Sequence, residues 1–480
     1  MIKTLLNATS IFMTTLENIV GKTNDALYGY ILIILLIAAG LFFTFRTKFA
    51  QFRLLPQQFR SLIEKPKGKK GISSFQALMV STASRVGTGN IIGVSTAICS
   101  GGFGAVFWMW VIAIIGAGSA FIESTLAQVY KKRGKDGFYG GPSYYIESAL
   151  KSRPLAVIFS IFLIVTYGIG FNMLASYNLQ STFEVYSFYN ASVTPWIIGG
   201  VVALLVLFCL MGGGKGIAKV TGVLVPVMGV AYIAVALIIT LINAPALPSI
   251  FGRIFTEAFD LRAIFGGFAG SCVMFGIKRG LFSNEAGVGS APNASATAEV
   301  SHPVKQGLVQ VLSVFIDTLL VCSATAFMCM ASGIEPSKEI AGAQYVQASV
   351  SSVLGDFGPI FITVAMLLFA FTTLIGNLYY VDQCVVHLIK REPPKALKIV
   401  LYVFWSIIIL IGAGLSADLL WNIADVTMGA MTVINIPVIL ILHTDAIKVL
   451  RDFDRQRKAG KDPVFHANSV KLKGEPECWE

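Results

Sequence analysis

The chain has 480 residues, of which 55% are hydrophobic and only 13% charged. A soluble domain carries about 25% charged residues, so the composition excludes a water-soluble enzyme and marks an integral membrane protein. The net charge of +11 is gathered in a few loops, which indicates membrane topology and speaks against nucleic-acid binding.

In chain order, the first fifteen residues, MIKTLLNATSIFMTT, lack a long apolar core and a small-residue cleavage site, so no cleaved signal is expected. About eleven spans follow, at 27–45, 75–100, 104–129, 155–180, 196–211, 220–243, 263–291, 307–331, 356–388, 399–416 and 419–442. Lys and Arg crowd the loops 46–74, 130–154 and 389–398 and the tail 443–480, which is expected to be cytoplasmic. Loop 181–195 has neither residue, and 332–355 has only Lys338. This alternation places the N-terminus outside and the C-terminus in the cytoplasm. Seven cysteines are scattered without a CxxC pair, mostly in apolar runs, and read as small buried hydrophobes. The glycine-rich MGGGKGIAK at 211–219 fails the spacing of a phosphate-binding loop and reads as a cytoplasmic turn. Segment 138–150 reads as a turn and a short helix on the same side. The four histidines show no metal-ligand spacing, and no Ser/His/Asp set converges.

With the first span, 27–45, set aside as an extra helix, ten remain, in sets of five at 75–243 and 263–442. Five crossings is an odd number, so the second set runs inverted relative to the first. Each set opens with an apolar stretch interrupted by glycine and polar residues. Unwound backbone at membrane depth leaves polar groups without lipid partners, at several kcal/mol each, and survives where protein, ligand or ion takes them up. Inverted five-helix repeats with broken first helices describe the LeuT-type architecture of secondary transporters.

In the first stretch, FQALMVSTASRVGTGNIIGVSTAI, the inner half from Ser74 to Arg85 is about half a bilayer long. Gly87 and Gly89 permit a break, and a second half-helix begins near Asn90. Its N-terminal amides suit a carboxylate. The carbonyls that end the first half, near Ala83 and Val86, suit a cation. The plain alternative is a packing kink. In the second stretch, FGGFAGSCVMFGIKRGLFSNEAGVGSAP, Phe275, Gly276 and Ile277 are expected halfway down, followed by Lys278, Arg279, Asn284 and Glu285. Glu285 is expected to pair with Lys278, Arg279 or Arg85, with Glu123 and Asp317 as alternative partners. The pair would either hold the broken helix or serve gating and proton movement. In FAFTTLIGNLYY, Thr373 and Asn377 share a helix face. The hydroxyls of Thr372 and Thr373 are hard oxygen ligands suited to sodium, or else they bond their own helix.

These residues resemble a known family. VGTGNIIGVSTAI, GAVFWMWV, GGPSYYI, GIKRGLFSNEAGVGSAP and FAFTTLIGNLYY are similar to the alanine or glycine:cation symporters, over about residues 27–445. The resemblance implies an all-α LeuT-type fold with an extra N-terminal helix in a bacterial plasma membrane. It implies sodium-coupled import of small neutral amino acids, with glutamine carried by some members. It places substrate on Thr88, Gly89, Asn172, Phe275, Gly276, Ile277, Thr373 and Asn377, and sodium on Ala83, Val86, Thr372 and Thr373. Two places depart from the family pattern. FNMLASYN at 171–178 has Ala175 and Tyr177 where Gln-x-Asn is common, and Asn377 replaces a Trp of some members. Both changes leave room and hydrogen-bonding capacity beyond alanine, so the amino acid and its D or L hand stay open, as does the oligomeric state. A proton-coupled carrier using Glu285, Glu123 or Asp317 is the nearest alternative. A channel fits less well because two broken helices imply an occluded site, and a membrane enzyme least, for want of a nucleophile–base or metal set.

Overall fold

The computed structural model describes residues 15, 17–64, 71–135, 137–260 and 271–479. The first fourteen residues, Lys65, Lys67, Lys69 and Lys70, and the opening of the seventh span at 263–270 lie outside the described residues. Helix α1 spans Glu17–Arg46. A broken crossing follows, with halves α2 (Ser74–Arg85) and α3 (Val94–Gly101). Next come α4 (Gly104–Val129), the short α5 (Pro142–Ala149), α6 (Arg153–Ser181), α7 (Thr194–Leu210) and α8 (Gly213–Ile242). The second broken crossing is α9 (Cys272–Asn284) and α10 (Pro292–Ser295). It leads to α11 (Pro303–Met330), α12 (Phe357–Ile389), α13 (Lys395–Ala413) and α14 (Ala417–Lys458). Eight of these helices are long and apolar enough to cross a membrane, and α7 is a shorter apolar one. With the two broken helices they make the eleven crossings expected from sequence.

Helix α4 is the spine of the core. Its inward face packs along α1, α9 and α11, and all residues from Gly116 to Val129 are buried. Helix α12 lies against α2, α6 and α8. Wide bands of Leu, Ile, Val and Phe on α7, α8 and α13 remain exposed, as lipid-facing surfaces require.

Two boundaries differ from the sequence reading. The turn at 211–219 is shorter, because α8 already begins at Gly213, with Lys215 and Lys219 in water. Helix α14 runs on to Lys458 instead of ending near 442. Leu442, Ala446, Val449, Leu450 and Phe453 continue its buried stripe at helical spacing.

The rest of the tail folds back onto the cytoplasmic face. The Trp479 indole N–H donates to Gln128 O at 2.9 Å, and its ring meets Phe465 and lies under Lys131 Nζ. The Phe465 amide donates to Ser301 O, and Glu477 pairs with Lys132 at 3.0 Å. Deleting a buried Trp side chain costs about 3 kcal/mol or more. Trp479→Ala should therefore free the tail and raise tryptic cleavage after Lys473 by about a hundredfold, since cleavage tracks the opened population. An unchanged cleavage rate would show that the tail is held elsewhere.

Candidate substrate and cation site

The first break is written into residues 86–90. Helix α2 starts on a capping box between Ser73 and Gln76 and makes its last ladder bond from Val86 N to Thr82 O at 2.7 Å. Val86 then leaves helical geometry at φ −76°, ψ 83°. In a continuing helix the Gly87 amide would donate to Ala83 O. Here it donates to Asn90 Oδ1 at 2.8 Å, so the Ala83 carbonyl loses its ladder partner. The chain resumes as a π turn, Gly89–Gly93, that feeds α3. Thr88 and Gly89 thus stand at a helix N-terminus, where amides and dipole favour an anion.

Side chains from three other helices close on this break. A Cβ at Gly87 would collide with Thr373 Oγ1 of α12, and one at Gly89 would sit 2.8 Å from the Phe282 ring of α9. Only glycine permits either approach. Asn377 accepts from Ser84 Oγ at 2.6 Å and donates to Asn172 Oδ1 of α6 at 3.0 Å. Thr88 Oγ1 accepts from Asn178 at 3.1 Å. Thr88, Asn172, Thr373 and Asn377 are each at most 6% exposed. Yet Thr373 Oγ1 and Asn172 Nδ2 have no hydrogen-bond partner among the described residues. Buried polar atoms of this kind cost stability unless something else meets them.

The second break lies later than the sequence suggested. Helix α9 is continuous through Phe275, Gly276 and Ile277 to Asn284. Glu285 then turns left-handed at φ 53°, and Gly287 and Gly289 follow at φ 88° and 89°. Glu123 holds the unwound segment, accepting from Gly287 N at 3.2 Å and from Asn435 at 2.8 Å. Glu285 accepts from Ser290 at 2.6 Å and from Ser84 at 3.3 Å, which ties the two breaks together.

Phe275, Gly276 and Ile277 therefore lie in regular helix, before the unwound segment. Phe275 packs beside Gly101 at the outer end of α3, and Gly276 beside Ala105 and Trp108 of α4. At 1.5 Å per residue, Gly276 is about 9 Å along the helix from Phe282. Lys278 and Arg279 mimic a break in sequence, but their charges are met within a regular helix by Asp425 of α14, at 2.8 and 3.2 Å. Glu285 pairs with neither. Thr372 takes the other of the two arrangements expected for a threonine in this run. Its hydroxyl donates to Leu368 O and Phe369 O of its own helix and faces Met228, about 100° around the helix from Thr373.

One cluster escaped the sequence reading as a set. Asp317 accepts from Asn90 at 2.7 Å, Ser283 at 2.6 Å and Thr318 at 2.8 Å, fully buried. The clue was an acid inside the apolar run Val314–Cys322, but its link to Asn90 and Ser283 spans three helices. Arg85 closes the last turn of α2 and is 2% exposed. Its Nη1 donates to Gln310 at 3.1 Å.

Two broken helices that meet at a buried, oxygen-rich cluster define a secondary transporter with an occluded central site. Solved structures agree on the fold. MhsT in complex with L-phenylalanine matches with TM-score 0.55 at 14% identity, over 80% of this chain and 99% of that one. A manganese transporter mutant from Eremococcus coleocola matches at 0.53 and 13%, over 84% of each chain. Both are LeuT-fold transporters. The chain belongs to the sodium:alanine symporter family, whose model matches residues 13–467. It is 43% identical to the probable sodium/glutamine symporter GlnT of Bacillus subtilis, over 97% of this chain and 96% of that one. It is 42% identical to the amino-acid carrier protein AlsT of the same organism, over 97% and 98%. The sodium/alanine symporter AgcS of Methanococcus maripaludis is 36% identical over 92% and 98%. The protein is thus a multi-pass bacterial membrane symporter for small amino acids, not an enzyme.

Proposed function

We propose that the protein imports a small neutral amino acid, glycine or alanine (D-alanine included), together with sodium. The observation that carries this is a pair of unpartnered buried polar atoms: Thr373 Oγ1, which faces Gly87, and Asn172 Nδ2, whose side chain is bonded to Asn377. The substrate carboxylate meets the amides of Thr88 and Gly89. Asn172 and Asn377 hydrogen-bond its polar end. Phe282, 2.8 Å from a Cβ on Gly89, keeps the space shallow. Sodium takes Thr373 Oγ1 with the freed carbonyls of Ala83 and Val86. A membrane potential adds about 2.3 kcal/mol per charge for each 100 mV. Alternating access opens the inner seam of α2 with α12, or the outer aromatic cover of Phe171, Phe282 and Trp421.

Glutamine is the second reading. The free Asn172 amide and the Asn377 amide suit a carboxamide, and GlnT is a similar protein. Proton coupling through Glu285 or Glu123 is the alternative for the ion. Radiolabelled alanine, D-alanine, glycine and glutamine should be tested in proteoliposomes with sodium and proton gradients imposed separately. Saturable alanine or glycine uptake driven by sodium alone is expected. Uptake driven only by protons, or only of glutamine, would overturn the corresponding part.

A further inference from the structure

Lys278 and Arg279 are buried and take no direct part in the site, at 7% and 5% exposure beside a fully buried Asp425. One carboxylate does not need two cations. Lys278 Nζ, 2.8 Å from Asp425 Oδ2, already balances its charge. Arg279 adds a planar fork, with Nη1 3.2 Å from Oδ1 and Nη2 3.4 Å from Oδ2. This fixes the plane of the guanidinium, and a lysine cannot reproduce it.

That plane lies on Trp421, with Cζ 4.0 Å from the ring centroid. Trp421 packs on Phe282 with centroids 4.9 Å apart, and Phe282 on Phe171 at 4.7 Å. The Phe282 ring is the surface that comes 2.8 Å from a Cβ on Gly89. One turn further along, a Cβ on Gly93 would sit 3.7 Å from the far edge of Trp421 and 4.0 Å from Arg279 Cδ. A continuous stack thus runs from an ion pair to the break. On its far side the extra helix α1 covers it, with the Tyr28 hydroxyl donating to Asp425 O at 3.3 Å and its ring under Lys278.

We infer that Arg279 is a positioning residue: with Asp425 it fixes the Trp421–Phe282 wall over Gly89 and thereby limits the size of the side chain the site accepts. The inference rests on the proposed amino-acid site at Gly89. Arg279 reaches the substrate only through two aromatic rings, so its loss alters binding and selectivity before turnover.

The test compares Arg279→Gln, Arg279→Lys and Lys278→Gln in proteoliposomes, with KM and Vmax for alanine and for leucine as a larger probe. Arg279→Gln leaves Asp425 paired with Lys278, so no buried carboxylate is orphaned. The alanine KM should rise about fivefold to tenfold, the scale of one lost cation–π stack. Vmax should stay within about twofold, since no turnover step is touched. The ratio of leucine to alanine KM should fall. Arg279→Lys should fail to restore the ratio, and Lys278→Gln should leave it unchanged. A ratio unchanged in Arg279→Gln, or restored by Arg279→Lys, would overturn the inference.

Acrylamide quenching of the fluorescence component that Trp421→Phe removes gives a readout independent of transport. It should rise in Arg279→Gln and not in Lys278→Gln. If the wild type carries none of the small neutral amino acids, the proposed substrate falls, and the wall stands or falls on quenching alone.

Discussion

Gly89→Leu should abolish amino-acid uptake while the protein still assembles as a monodisperse, cooperatively melting particle. Even the first carbon of the new side chain would arrive 2.8 Å from the Phe282 ring. That ring cannot swing away, because Phe171 and Trp421 pack against it. The remaining leucine atoms must fill the space next to the Thr88 and Gly89 amides, where the carboxylate is to dock. Overpacking alone costs about 1–3 kcal/mol, and loss of the anion contact adds to it, so affinity should fall by at least about a hundredfold. Gly229 of α8 has nothing within 4 Å of its Cβ position, so Gly229→Leu controls for a helix that simply gains a leucine and should transport normally. Wild-type affinity in Gly89→Leu would take the break out of the substrate site.

The contrast between the two breaks shows what sequence can carry. Val86–Asn90 was legible because glycine, Thr and Asn interrupt an apolar run within five positions, and the structure unwinds there. In the second stretch Lys278 and Arg279 stood with Asn284 and Glu285 among the interrupting residues. The structure keeps them helical, since Asp425, nearly 150 residues onward, meets both charges. A charge in a membrane helix can mean a break or a distant partner, and local sequence does not tell these apart. The true break at Glu285–Gly289 carried its own signal in the two glycines that adopt positive φ, and Glu123 and Asn435 hold it from other helices. The same limit applies to Asp317. Its acid was visible in an apolar run, but its bonds to Asn90 and Ser283 are a property of the assembled helices. Helix count and fold needed only hydropathy and charge alternation, which are summed over many residues and survive local error.

Adjacent threonines supply the sharpest test of the cation reading. Thr372 and Thr373 are chemically identical in sequence, and both were candidate ligands. The helix separates them. Thr372 donates to Leu368 O at 3.0 Å and Phe369 O at 3.1 Å, so its hydroxyl is already satisfied. Thr373 Oγ1 is buried without a partner and faces Gly87. Thr373→Val keeps the shape and removes that oxygen. An interaction with a charged partner is worth about 2 kcal/mol, so the half-saturating sodium concentration should rise by roughly thirtyfold. Substrate affinity at saturating sodium should change much less, because it senses the ion only through linkage. Thr372→Val should leave the sodium dependence unchanged and lose only a bond to its own helix. The measurement is uptake against sodium concentration for both variants. Equal shifts in both would mean that valine disturbs the packing of α12 generally, and no shift in either would remove sodium from this face. A carrier driven by protons would show no sodium dependence even in the wild type, so one titration separates the ion, its ligand and the helix face that presents it.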